Sequence, residues 1–149
     1  MTLTNFMVGL PAMLLCLLVQ VVVAFWCVRH YVRQVRHRHE EGFWLGVRPL
    51  LVAMLALMLG NLLQIALWGG LFVYLGEFTE AYDAIYHSAV NFTSLGYGDI
   101  VMSKTWKLLG PLEAANGVLM LGMSAAALMA ILQHLIKTYA ATHRPNGGA

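Results

Sequence analysis

Apolar residues fall in three long runs, at 6–28, 50–75 and 108–136, which together take up more than half of the 149-residue chain. At about 1.5 Å rise per residue each run, wound as a helix, exceeds the roughly 30 Å hydrocarbon core of a bilayer. Each is therefore expected to span a membrane. A shorter apolar segment at 81–92 has helical spacing but is too short to cross, and it sits between the second and third runs. The pattern predicts an all-α membrane protein with three transmembrane helices and one short re-entrant helix.

The few polar positions inside the runs carry the next layer of information. The first run is interrupted by Gln20 alone, and the second holds Asn61 and Gln64 three residues apart, hence on one helical face. That pair is expected to hydrogen-bond another helix instead of facing lipid. Gly60, Gly69 and Gly70 would let a neighbour approach the second run closely, and Pro49 is read as its first-turn residue. The third run contains Glu113, with Asn116 one turn on. An ionisable group inside a span is costly unless paired, hydrated or neutralised, so Glu113 is either a buried structural carboxyl or a proton-responsive gate.

Composition narrows the class further. With 60% hydrophobic residues, 11% charged residues and mean hydropathy +0.70, the chain has too little charge to cover a soluble domain. Cys16 and Cys27 lie inside the first run without metal-ligand spacing and read as packing residues. The opening residues, M-T-L-T-N-F-M, lack a basic region, so the first run is expected to be a retained helix and not a signal peptide.

Charge placement orients the spans. The connector at 29–49 holds Arg29, Arg33, Arg36, Arg38 and Arg48, with His30, His37 and His39 between them and only Glu40 and Glu41 opposing. Arginine-rich short loops stay cytoplasmic, which puts the amino end outside and the carboxyl end inside a plasma or inner membrane. Arg29, Arg33 and Arg36 recur at helical spacing, so helix one is expected to run on and meet anionic lipid headgroups. A voltage sensor would need charges within the field, and the first run has none. Glu77, Glu80, Asp83 and Asp99 make the segment before the third span acidic, as an external loop should be. Four stretches follow: a peripheral helix at 1–28, the basic connector at 29–49, a core unit at 50–137 and a short disordered tail at 138–149.

Directly after the short helix the chain reads T-S-L-G-Y-G-D, from Thr93 to Asp99. Gly96 and Gly98 stand at alternate positions, where freedom to take positive φ lets successive carbonyls turn to one side. This stretch resembles the selectivity filter of the potassium-channel family, which reads T-V-G-Y-G-D and follows a short pore helix in the same order. The resemblance covers about the last ninety residues and leaves helix one and the connector outside. It implies four chains around one axis, with potassium ions on the carbonyls of Ser94, Leu95, Gly96 and Tyr97 and the Ser94 hydroxyl as the innermost ring. Thr93 would close the pore helix, whose carboxyl end favours a cation. Tyr97 would point outward as a strut. Tyr86 and His87 would stand behind the filter, either able to hydrogen-bond Asp99, with Gly98 completing the turn.

The resemblance also places Leu119, Gly122, Ala126, Ala130 and His134 of the third span toward the axis. Gly117 or Gly122 would be the bend that opens the pore, or else a packing glycine; His134 would be either a titrating group at the inner mouth or an interfacial residue. No catalytic residue, no cofactor other than potassium ions and no nucleic-acid partner is expected. Ser94 and Leu95 depart from the family's threonine and β-branched residue and loosen the filter in principle, so a poorly selective monovalent cation channel is the alternative. Two readings from other classes remain. Gly96-Tyr97-Gly98-Asp99 with Tyr82-Asp83 also resembles the paired motifs of intramembrane aspartyl proteases, and a non-conducting scaffold subunit would keep the architecture alone.

Overall fold

The computed structural model describes residues 2–36 and 43–142. Among them are four helices, α1 (Thr2–Arg36), α2 (Phe43–Tyr74), α3 (Ala81–Phe92) and α4 (Leu109–Thr142), and no strand. Among the described residues three stretches are long and apolar enough to cross a membrane, Thr2–Gln34, Val47–Tyr74 and Leu109–Lys137. Large apolar side chains such as Leu14, Leu18, Leu55, Leu59 and Val118 are exposed along them, a surface that only lipid or another apolar partner can cover. The protein is a multi-pass membrane protein.

The helices run past the boundaries that hydropathy suggests, because the helical backbone does not stop where the apolar side chains do. α1 continues through Arg29 and Arg33, both exposed, to Arg36. α2 begins at Phe43, so Pro49 lies inside the helix instead of opening it. α4 continues to Thr142, into what composition marks as tail. Arg38, His37, His39, Glu40 and Glu41, and the tail from 143, lie outside the described residues.

Packing divides into two apolar layers. Toward the α3 end, Cys16, Ile65, Trp68, Phe72, Ala84, Phe92, Met102, Leu109 and Met120 form one cluster. Toward the arginine end, Cys27, Tyr31, Ala53, Leu57 and Ile131 form another. Both cysteines are free and buried in these layers, as packing residues should be. Helix α1 packs on α2 and α4.

Between the layers the three long helices are tied by polar side chains. Gln64 Nε2 donates to Gln20 Oε1 at 2.8 Å, Gln20 Nε2 donates to Ser124 Oγ at 2.7 Å, and Asn61 Nδ2 donates to the same hydroxyl at 3.2 Å. Ser124 in turn donates back along α4 to the Met120 carbonyl at 3.1 Å. The face shared by Asn61 and Gln64 therefore meets α1 and α4 and not lipid. Interhelical bonds of this kind stabilise by about 0.6 kcal/mol each on average. Gln20→Leu removes two of them and leaves the Gln64 amide nitrogen without its acceptor inside the span, while Ser124 keeps Asn61 and the Met120 carbonyl. It should lower the detergent melting temperature by several degrees and increase protease access to α1, whereas Gln20→Glu at acid pH should retain part of the loss.

Candidate functional site

Helix α3 is held as a wedge between α2 and α4, and two glycines make the wedge possible. A Cβ at Gly69 on α2 would lie 3.1 Å from Ile85 Cα and 3.3 Å from the Ala84 carbonyl oxygen. A Cβ at Gly117 on α4 would lie 1.9 Å from the Phe92 carbonyl oxygen. Backbone thus meets backbone at the last turn of α3. Gly117 is a close-packing glycine, while Gly122, with open space around it, keeps room for a side chain or a bend.

Polar contacts fix the wedge from within. Ser88 Oγ lies 2.8 Å from the Ile65 carbonyl oxygen on α2 and touches Glu113 Oε1 on α4. Ser88 and Glu113 are both fully buried, and Asn116 nearly so. Glu113 thus meets α3 through Ser88.

The segment leaving α3 has an unusual backbone. Thr93 is the C-cap and its hydroxyl donates to the Ala89 carbonyl at 2.7 Å. Ser94 and Leu95 then bond back to the Asn91 and Val90 carbonyls at 2.8 and 2.9 Å. Beyond the cap, φ is +57° at Ser94, +61° at Gly96 and +73° at Gly98, with no other non-glycine residue at positive φ among the described residues. Alternation between the left-handed region and ordinary backbone turns successive carbonyls toward the same side. Glycine meets this requirement at two of the three positions. Ser94 meets it at a cost of about 1 kcal/mol or more, and a β-branched side chain there would be more strained still. Residues 93–99 are all exposed in the single chain.

Three tethers hold the far end of the segment. Tyr86 Oη donates to Asp99 Oδ2 at 2.8 Å, and this bond to a carboxylate holds the phenol above its ordinary pKa. His87 does not reach Asp99; its Nδ1 donates to the Ile100 carbonyl at 3.0 Å while Nε2 accepts from Asn91 Nδ2 at 2.9 Å. A carbonyl can only accept, so these partners fix the neutral ring with its proton on Nδ1. Glu77 closes the loop from outside, accepting from the Ser103 backbone N–H at 2.7 Å and from its hydroxyl at 2.6 Å.

His87 stands edge-on to Phe72 and tilted against Phe78, and burial pushes its imidazole below the ordinary histidine value. The unfolded chain, with a pKa of about 6.5, takes up the proton before the folded one does. Stability carried by His87 is thus complete above pH ~6.5 and declines as the pH falls below it. Melting temperature followed from pH 7.5 to 5 should show this acid decline, and His87→Gln, which does not titrate, should flatten it.

On α4, Leu119, Gly122, Ala126 and Ala130 are all exposed, in keeping with an open face. His134 is exposed too, but its ring packs edge-on against Tyr31 of α1 at 5.6 Å, so it belongs to the contact with α1. Asp83 lies in the first turn of α3 and Asp99 in the loop after it, and neither is on a span, as the aspartyl-protease resemblance would require. Among the described residues no cluster of histidine, cysteine, aspartate or glutamate could hold a metal ion.

Sequence reasoning missed Ser88, the residue that links α3 to both neighbours. Its only sequence signal is a hydroxyl on the apolar side of a short helix, one position from His87.

A family model described as Ion channel matches residues 52–134, from α2 through α3 and the 93–99 segment into α4. No curated protein and no solved structure matches the chain. The matched interval covers more than half of the sequence and ends within the span that carries Glu113, so this chain belongs to the two-transmembrane pore-loop ion channel family, here with a third apolar helix at its amino end.

Proposed function

We propose that four copies of this chain surround one axis and conduct potassium ions passively through the 93–99 segment. The observation that carries this reading is the alternation of positive φ at Ser94, Gly96 and Gly98 directly after the capped end of a buried short helix. Carbonyls of Ser94, Leu95, Gly96 and Tyr97 then replace the hydration shell of a dehydrated ion, with the Ser94 hydroxyl at the inner end. One segment cannot enclose an ion, so the site is complete only when copies are brought together. Exposure of Leu95, Tyr97 and Val101 supports this, since neighbouring copies would cover them. The α3 dipole points its negative end at the cavity below and favours a cation there. Leu119, Gly122, Ala126 and Ala130 line that cavity, and Gly122 is the position with room to bend.

The basic stretch around Arg29 and Arg33 faces the cytoplasm and anionic headgroups, so the carboxyl ends of the four segments open outward. Tyr86 on Asp99 and His87 on the Ile100 carbonyl hold the outer end from behind.

Measured in a planar bilayer with potassium on one side and sodium on the other, the purified protein should reverse near the potassium equilibrium potential. A robust current reversing near zero would replace this reading with the poorly selective cation pore that Ser94 and Leu95 make conceivable. Absence of current under every voltage and pH would favour a scaffold subunit.

A further inference from the structure

Among the described residues Glu113 is the one buried carboxylic side chain. Its surroundings can be counted proton by proton. Ser88 Oγ contacts two oxygens, the Ile65 carbonyl on α2 and Glu113 Oε1 on α4, yet a hydroxyl has one proton to give. Three oxygens in a row at hydrogen-bond separation need two protons between them, and the Ile65 carbonyl has none to give. The contact with Glu113 then needs a proton from the carboxyl side. A carboxylate cannot supply it; a carboxylic acid can.

The second carboxyl oxygen agrees with this count. Glu113 Oε2 is buried without a hydrogen-bond partner. An anionic oxygen left bare inside a span is strongly disfavoured, whereas the carbonyl oxygen of a neutral acid tolerates it. The groups around it are Cys16 on α1, Ser88 and Asn91 on α3 and Asn116 on α4; the Asn91 amide comes near the carboxyl and Asn116 Nδ2 is itself buried without a partner, but none of the four is a cation that could balance a carboxylate. His87, reached through Asn91, is neutral for the reason already given.

The position of this acid is what gives it a role. The close approaches at Gly69 and Gly117 limit how near α3 can come to its neighbours, but van der Waals contact alone does not fix the rotation of a helix about its own axis. The chain from Ile65 through Ser88 to Glu113 does. Rotation of α3 would carry Tyr86 and His87 with it, and through them Asp99 and Ile100 at the far end of the 93–99 segment. We propose that Glu113 is a neutral hydrogen-bond donor and a positioning residue for conduction: its proton on Ser88 locks α3 against α2 and α4 and so sets the geometry of the ion-binding carbonyls. This rests on the reading of 93–99 as the ion-selective segment.

Two measurements on the full chain in lipid vesicles test it. Infrared absorption at neutral pH, where exposed carboxyls are ionised, should contain a carboxylic-acid C=O band that is absent in Glu113→Gln and moves to higher frequency in Ser88→Ala. In the reversal-potential measurement, Glu113→Gln keeps a neutral donor and should behave as the wild type. Glu113→Leu should lower the potassium-over-sodium permeability ratio about tenfold, the scale of one lost hydrogen bond. Ser88→Ala, which keeps the packing and removes the acceptor, should do the same and serves in its place if Glu113→Leu does not assemble. No difference in the acid band between wild type and Glu113→Gln overturns the protonation. Unchanged ion preference in both Glu113→Leu and Ser88→Ala overturns the positioning role. A wild type that passes no ions removes the conduction reading and the positioning role with it, while the infrared band still decides whether Glu113 is the donor.

Discussion

Gly117→Ala should prevent the chain from reaching its folded, assembled state. The added methyl would sit 1.9 Å from the Phe92 carbonyl oxygen, 2.6 Å from its carbonyl carbon and 2.8 Å from its Cα. These are backbone atoms at the last turn of α3, held in place by the Thr93 cap and the bonds of Ser94 and Leu95 to Asn91 and Val90. No side chain can swing away to relieve the clash. Overpacking a core with one methyl commonly costs about 1–3 kcal/mol because side chains give way; here a whole helix must move, so the loss should exceed that range. Size-exclusion chromatography in mild detergent should show aggregate or monomer in place of the wild-type species. Gly122→Ala is the control. Nothing lies within 4 Å of its would-be Cβ, and the protein should assemble as the wild type does. A well-assembled Gly117→Ala protein would mean that α3 and α4 do not meet as described.

Gly96→Ala should do the opposite, leaving the fold intact and removing the function. At φ +61° an alanine is strained by roughly 1–2 kcal/mol, and in the proposed assembly of four chains that strain would be concentrated around one axis. No neighbouring atom lies within 4 Å of the position, and the residues on either side are exposed, so no packing is lost within the chain. The relaxed backbone would swing a carbonyl away from its fellows and break a ring of ligands. Helicity by circular dichroism and the melting temperature should change little, while potassium preference collapses or current disappears. Retention of the wild-type reversal potential would show that the 93–99 carbonyls do not coordinate the ion. The pair of substitutions separates two uses of glycine, one as absent volume and the other as backbone freedom.

Much of this architecture is legible from residue order because a bilayer is a severe solvent. A run of apolar residues beyond about 20 has few alternatives to a spanning helix, and the bounds of α3, Ala81–Phe92, follow from the same periodicity with turn chemistry on both sides. Alternating glycines announce an alternating backbone, and Gly96 and Gly98 take it. That Asn61 and Gln64 would find partners is equally forced, since an amide inside a span cannot be left to lipid. Helix ends are less readable, as Pro49 inside α2 shows: propensity marks a favourable first turn, but the residues before it are free to join the helix.

By itself, then, the sequence determined a membrane protein of three apolar spans with a short helix and a glycine-alternating segment between the last two, because hydropathy and φ preference are properties of residues and their neighbours. Only the tertiary structure decided which partners those residues find. Gln20 was a lone polar residue until α2 and α4 brought Gln64 and Ser124 to it. Gly117 and Gly122 look alike along the chain, and the path of α3 alone makes the first a contact point and the second open. His87 bonds the Ile100 carbonyl and leaves Asp99 to Tyr86 because of how α3 is rotated. Glu113 meets Ser88 for the same reason. Contacts between helices depend on rotation and depth, which no local pattern encodes, and the chemistry of the buried groups is set there.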